Sequence, residues 1–260
     1  MPLSPANHAK YRSARAALTE VRDGMKLGLG TGSTAEWFVK VLAAWCEVHG
    51  AKVIGVPTSE RTGELAVSLG LEITMLDALG TLDLTVDGAD EFDPDLVLIK
   101  GGGGAHLREK VVASASDRMV VISDTSKEVP QLGAFPLPVE VIPFGHATTA
   151  GHLRKTLDRL GYHDAEIALR GGETAPYLTD ERNHIYDLKL GKITDAAELA
   201  AGLNAVPGVV EHGLFLGIAK AVYLGHADGR AECLSEGGAR QAVAFDDGLD
   251  ETAFLARWAD

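Results

Sequence analysis

Cysteine is nearly missing from this chain of 260 residues: Cys46 and Cys233 are the only two. They are too few and too far apart for a disulfide framework or a thiolate metal site, which favours a reducing compartment. Basic residues are scarce as well. Lys and Arg number 24 against 37 Asp and Glu, for a formal charge of −13. Such a chain is a poor generic binder of nucleic acid, because phosphate backbones are held by Lys and Arg. An anionic small molecule would need a local positive pocket. Long apolar runs are lacking too: none reaches the roughly 18 residues of a membrane span, and the polar, Lys/Arg-bearing start does not read as a signal peptide. The balance of 46% apolar and 23% charged residues is that of a globular protein long enough to bury its own core. Glycine is plentiful, with 30 residues, and clustered.

Strand and helix patterns alternate through the first half. A helix is expected over 5–22, a strand over 25–30, a glycine turn feeding a helix to about 48, a strand over 53–56 and a helix over 59–69. Apolar strand patterns follow at 71–75, 82–86, 96–99 and 119–123, with a helix at about 105–116 before the last. This alternation argues for a Rossmann-like parallel α/β sheet. From about 134 the order becomes a Pro-rich linker running into a strand (135–143), helix (147–160), strand (164–169), strand or hairpin (177–190), helix (195–204) and strand (208–215), which suggests a smaller ferredoxin-like α+β domain. The expected division is 1–133 with 216–234 as the larger domain, 134–215 as the smaller, and 235–260 as an acidic, partly disordered tail with a short helix near 250–258. The strand at 221–224 is expected to rejoin the large sheet.

Ligands of open α/β sheets sit beyond the carboxyl ends of the strands, and four unusual segments fall there. Gly30-Thr31-Gly32-Ser33-Thr34 reads strand, turn, helix, a backbone cradle for an anion at a helix N-terminus. A plain turn with Ser or Thr capping the helix is the alternative when the segment is taken alone. It only loosely fits a dinucleotide fingerprint, and the next strand lacks the acidic residue that would hold a ribose. Asp87-Gly88-Ala89-Asp90-Glu91 crowds three carboxylates, which would raise one another's pKa and prepare a proton-transfer group. Lys100 precedes Gly101–Gly104, four glycines that suit close backbone approach to a developing oxyanion better than a linker. Glu109 lies one turn into the following helix, flanked by Arg108 and Lys110, which favour its ionised form. The fourth segment, Ser123–Lys127, brings Lys127, which with Lys10 could supply positive charge.

Together these segments resemble the type A ribose-5-phosphate isomerase family. The matching stretches are GLGTGSTA (28–35), VDGADE (86–91), IKGGGGAHLREK (99–110), SDTSKEV (123–129), FPLPVEVIP (135–143) and NAVPGVVEHGLF (204–215), in one order over about residues 5–225. The resemblance implies that Glu109 is the proton acceptor and that Thr31–Thr34, Asp87–Asp90 and Lys100–Gly103 bind substrate, with Lys127 a substrate lysine and Lys10 a phosphate partner. It implies a cytoplasmic enzyme of the pentose phosphate pathway that uses no metal or organic cofactor and forms homodimers or higher homo-oligomers. On that basis Asp87, Lys100 and Asp90 join Glu109 as catalytic residues, Asp90 by binding hydroxyls or orienting Lys100. His106 departs from the family's usual apolar residue, three positions before Glu109. Competing readings are a sugar-phosphate sensor domain, or a related deaminase or CoA-transferase-like enzyme.

Overall fold

The protein is described here by a computed structural model over residues 3–258. Its elements in chain order are α1 (Pro5–Ala17), β1 (Lys26–Leu29), α2 (Ser33–His49), β2 (Ile54–Pro57), α3 (Glu60–Ser68), β3 (Glu72–Ile73), α4 (Leu76–Leu79), β4 (Leu84–Asp87), β5 (Glu91–Phe92), β6 (Leu98–Ile99), α5 (His106–Ser114) and β7 (Met119–Asp124). Then follow β8 (Leu137–Val141), α6 (His146–Arg159), β9 (Glu166–Leu169), β10 (His184–Lys189), α7 (Ala196–Asn204), β11 (Val209–His212), β12 (Leu214–Phe215), β13 (Ala219–Gly225), β14 (Ala231–Ser235), β15 (Arg240–Ala242) and α8 (Glu251–Trp258).

Local chemistry sets the helix ends. The Ser4 hydroxyl accepts from the Asn7 N–H and Pro5 occupies the first turn of α1. Ser59 caps α3 and Asp195 caps α7 in the same way. The helix expected to 22 stops at Ala17, where the chain tightens into a 3₁₀ turn over Leu18–Glu20.

The chain divides into two compact units. The first comprises the described residues up to Gly88, Val111–Lys127 and those from Ile218 on. Its eight-stranded sheet runs β15-β14-β13-β7-β4-β1-β2-β3, parallel from β13 to β3 and antiparallel where β14 and β15 extend it. The chain winds outward from β1 to β2 and β3 on one side and to β4, β7 and β13 on the other. The switch point is therefore the crevice between the ends of β1 and β4, where such sheets bind ligands. Phe38, Leu42, Leu27, Leu29, Val86 and Val120 are buried in its core. The strand at 221–224 does rejoin this sheet, as β13.

The second unit, Ala89–Lys110 and Glu128–Gly217, has an antiparallel sheet β11-β8-β10-β9 carrying α6 and α7, the β-α-β-β-α-β order expected. Leu137, Val139, Leu153, Leu157, Leu188 and Leu199 form its centre.

Several expectations change. Leu98–Ile99 is not a strand of the parallel sheet. It pairs antiparallel with β5 and β12 in a separate three-stranded sheet, and Ile99 packs into the second core. Residues 89–110 accordingly group with the second unit, not the larger domain. The strand expected over 208–215 is two, β11 and β12, which join different sheets. The acidic tail is ordered over its described part: it forms β15 and α8, held by Phe254, which is 5% exposed.

Candidate active site

In the first unit, the carboxyl ends of β1, β2 and β4 meet around one buried carboxylate. The Gly30 N–H donates to the Val86 carbonyl at 3.0 Å and the Thr58 N–H to the Leu29 carbonyl at 2.9 Å, which holds the three strand ends level. Asp87 is fully buried at the end of β4. Its Oδ1 accepts from the N–H groups of Thr31 at 3.1 Å and Gly88 at 2.7 Å. Gly30 is there because nothing larger fits: a Cβ would lie 2.5 Å from the Asp87 Cα. The Thr31 hydroxyl meets those of Thr58 at 2.7 Å and Ser59 at 2.9 Å, and the Thr62 hydroxyl donates to the Gly30 carbonyl at 3.0 Å. This ring of hydroxyls fixes the turn from below.

Gly32 stands at the N-cap of α2 with φ +107°, a conformation natural to glycine, and no side chain caps the helix there. The start of α2 thus presents backbone N–H groups and the positive end of a 17-residue helix. Ser33 is exposed at that end, beside half-buried Thr34. The Lys10 ammonium, carried by α1, donates to the Ser33 hydroxyl at 2.8 Å. Lys127 ends a 3₁₀ turn, Thr125–Lys127, directly after β7.

In the second unit, Lys100 and Glu109 are both buried, and the Lys100 Nζ lies 3.2 Å from Glu109 Oε2. Glu109 is therefore not the exposed helix glutamate that its residue type makes the default. Nor are its sequence neighbours the cations that matter. Arg108 turns outward to Asp180 at 3.1 Å and Glu181 at 2.5 Å, and Lys110 turns to Glu211 and the His212 carbonyl, each at 2.7 Å. Phe215 lies under both ammonium groups, 5.4 Å from Lys100 Nζ and 5.0 Å from Lys110 Nζ.

The glycine turn between Lys100 and α5 is braced from several sides. The Gly102 N–H donates to Asp90 at 2.7 Å. Arg170, paired with Asp187 at 2.5 and 2.9 Å, donates to the carbonyls of Gly101 at 2.9 Å and Gly102 at 3.3 Å. The Tyr177 hydroxyl donates to the Gly103 carbonyl at 3.3 Å. Gly101 has φ +108° and lies against His106: a Cβ there would be 2.7 Å from the ring's Nδ1. With its carbonyls tied down, the turn leaves Gly102 and Gly103 exposed.

Asp87, Asp90 and Glu91 are each held by their own backbone N–H donors, Glu91 by those of Gly133 at 2.8 Å and Phe135 at 2.6 Å. His106 is fully buried, which pushes its pKa down to about 3, with Lys110 and Arg170 adding to the effect. A hydrogen bond with the Glu211 backbone opposes that fall, and Nε2 lies 3.8 Å from Glu140 Oε2. Burial raises the Glu140 carboxyl against hydrogen bonds from Asn183 and Thr179. His212, also buried, is pushed down to about 4.

The family model described as ribose 5-phosphate isomerase A (phosphoriboisomerase A) matches residues 54–229. The chain belongs to this family. A relative from Cereibacter sphaeroides named ribose-5-phosphate isomerase A is 56% identical over 228 residues, covering 88% of this chain and 87% of the relative. One of the same name from Ruegeria pomeroyi is 55% identical over 230 residues, 88% of either chain. Among solved structures, ribose 5-phosphate isomerase A from Methanocaldococcus jannaschii is 38% identical with a TM-score of 0.79, covering 87% of this chain and 97% of its own. A D-ribose-5-phosphate isomerase in complex with phospho-erythronic acid is 35% identical with a TM-score of 0.80, covering 88% and 99%.

For a member of the ribose 5-phosphate isomerase A family, local sequence marks the candidate residues at strand ends but not the side chains that support them. Thr58, Ser59 and Thr62 follow a strand end, a signal that could have found them. Arg170 and Tyr177 lie about 70 residues beyond the turn they brace and carry no local mark.

Proposed function

We propose that the protein interconverts D-ribose 5-phosphate and D-ribulose 5-phosphate by moving a proton between the first two carbons of the open-chain sugar through an enediolate. The observation that carries this reading is the buried Lys100–Glu109 ion pair, 3.2 Å long, set at the two ends of a glycine turn. A base that removes a carbon proton must be ionised, and the ammonium beside Glu109 stabilises that charge. As the proton moves, negative charge passes from the carboxylate to the substrate oxygen. Lys100, already beside the carboxylate, then serves that oxygen without a large rearrangement. The N–H groups of the Gly101–Gly103 turn add donors, each worth roughly 10²–10³ in rate when well placed. Asp90 holds the turn through the Gly102 N–H while leaving its other oxygen for hydroxyls or for Lys100.

In the first unit, Asp87 moves the oxygen protons and helps open the sugar ring, supported by its place at the switch point. Thr31, Gly32 and Gly88 shape its surroundings. The start of α2, with Ser33, Thr34 and Lys10, takes the phosphate, and Lys127 supplies further positive charge. The phosphate's binding energy then holds the reacting carbons in place. The enzyme works without metal or organic cofactor, as a cytoplasmic homodimer or higher homo-oligomer. Among the described residues, no helix is long and apolar enough to cross a membrane.

Incubating chelator-treated protein with ribose 5-phosphate should yield ribulose 5-phosphate, and Glu109→Gln should bind the sugar phosphate yet lose at least about 10²-fold in kcat. Binding without turnover by the wild-type protein would instead indicate a sensor. Ammonia release from an aminosugar phosphate, or CoA exchange, would indicate the other enzyme classes. An absolute requirement for a divalent ion would remove the metal-free mechanism.

A further inference from the structure

Lys10 and Ser33 sit on different helices of the first unit. α1 carries the lysine, α2 opens with the serine, and the side chains meet at 2.8 Å. Two such groups grip one anion well only if their helices keep station to a fraction of an ångström, since charge-assisted hydrogen bonds work over a narrow range of about 2.7–2.9 Å. One face of α1 is fixed by the sheet, where Ala9 lies so close over Gly225 of β13 that no side chain could stand there. Another face meets the segment over 240–258, which lies beyond the residues 54–229 that the family model matches and has no part in the steps above.

The contacts of this segment bear on the two helices together. Arg15 of α1 is 7% exposed. Its guanidinium donates to both oxygens of Asp247 at 2.5 and 2.8 Å, to the Leu249 carbonyl at 2.9 Å, to Glu251 at 3.1 Å and to the Tyr11 hydroxyl at 3.1 Å. Arg12 adds a bond to Glu251 at 2.7 Å. Phe254 of α8 stacks on Tyr11, with centroids 5.2 Å apart and planes inclined by 20°, and lies 6.5 Å from the Trp37 ring. Tyr11 is the residue after Lys10, and Trp37 is one turn into α2 from Ser33. Tyr11 and Trp37 also meet edge to face at 6.0 Å. The same aromatic ring therefore rests on the neighbour of each phosphate ligand.

We propose that Phe254 and Arg15 are positioning residues for the phosphate: they hold α8 across α1 and α2 and so keep the Lys10 ammonium at the Ser33 hydroxyl. The inference rests on the assignment of Lys10 and Ser33 to the phosphate. A clamp of this kind acts on binding of a group remote from the reacting carbons, and it is felt equally by bound substrate and transition state. Its loss raises KM with kcat little changed. A clamp that only stabilised the fold would lower the unfolding midpoint and leave the KM of the folded protein alone.

The test is a double-mutant cycle between Phe254→Ala and Lys10→Ala on the full chain. It is read by KM and kcat for ribose 5-phosphate and by the inhibition constant of inorganic phosphate, with the folded fraction checked by circular dichroism. Phe254→Ala alone should raise KM and the phosphate inhibition constant about tenfold, the order of one charge-assisted hydrogen bond, with kcat within about twofold. In the Lys10→Ala background it should add almost nothing. An unchanged KM in folded Phe254→Ala, or the same KM factor in both backgrounds, overturns the proposal. If Lys10→Ala by itself leaves KM and phosphate inhibition unchanged, the phosphate assignment fails, and that result is visible before the cycle is closed. Should Phe254→Ala not fold, Phe254→Leu and Arg15→Lys keep the apolar bulk and the charge. Each should still raise KM in the wild-type background and not in Lys10→Ala, and absence of that coupling sinks the idea.

Discussion

A methyl group at position 30 would be driven into Asp87. In Gly30→Ala the new Cβ lies 2.5 Å from the Asp87 Cα and closer still to its carboxylate, and that backbone is the buried end of β4, held in register against β7. Overpacking of this kind costs about 1–3 kcal/mol. The Asp87 carboxylate also accepts from the Thr31 and Gly88 N–H groups at 3.1 and 2.7 Å, and displacing it forfeits part of two charged hydrogen bonds, at about 1.5–3 kcal/mol each. The neighbouring glycines separate these effects. In Gly28→Ala the Cβ meets the Thr85 side chain and lies 2.7 Å from Val112 Cγ1, a clash of similar size in the core that leaves Asp87 alone. In Gly32→Ala there is open space, and only the φ of +107° is at issue, at about 1–2 kcal/mol. Urea unfolding and steady-state isomerisation of the three variants should therefore diverge. Gly28→Ala should lose about 1–3 kcal/mol of stability yet keep its turnover per folded molecule within about threefold. Gly30→Ala should lose at least as much stability and also at least about tenfold in kcat, equivalent to about 1.4 kcal/mol of transition-state stabilisation. Equal losses of turnover in Gly28→Ala and Gly30→Ala, or a Gly30→Ala enzyme with normal turnover, would refute the reasoning about Asp87.

Lys100→Met should cost about 3–5 kcal/mol of stability by taking the ammonium from a buried ion pair, and should lower kcat by about 10²-fold; unfolding and turnover assays on one preparation check both. Arg170→Lys should lower kcat about tenfold, because a lysine cannot reproduce the two-pronged grip on Asp187 together with the bonds to the glycine turn, and normal turnover would show that the brace is dispensable. His106 and His212 have folded pKa values of about 3 and about 4 against an ordinary 6.5. Below pH 6.5 the unfolded chain takes up protons that the folded protein refuses, so these groups make stability fall as pH drops from 6.5 towards 3–4. Glu140, raised by burial, opposes them, since its contribution is present at low pH and is lost as pH rises through its folded pKa. His106→Leu should flatten the dependence of unfolding free energy on pH by up to about one proton, or about 1.4 kcal/mol per pH unit, and identical slopes in the two proteins would contradict the burial of a neutral ring.

Local pattern determined much of this protein. Alternating strand and helix periods marked the parallel sheet, the change of order after 134 marked the second unit's antiparallel sheet, and glycines at strand ends marked the candidate residues of each unit. These features are legible because periodicity, capping and turn chemistry act over a few residues. Tertiary structure alone decided the partners. Spacing put Arg108 and Lys110 beside Glu109, yet the side chains of both turn away to other acids, and the cation at Glu109 is Lys100, from across the glycine turn. Leu96–Ile99 read as one more strand of the parallel sheet, yet only Leu98–Ile99 forms a strand, and so short a stretch could not reveal that β5 and β12 would claim it. The tail read as acidic and weakly periodic, because its hold on α1 and α2 comes from scattered contacts, among them buried Phe254 and Leu249 and the bonds of Arg15 and His49 to Asp247, rather than a repeating face. Partners distant along the chain are chosen by which surfaces the fold brings into contact, and no short stretch of sequence encodes that choice.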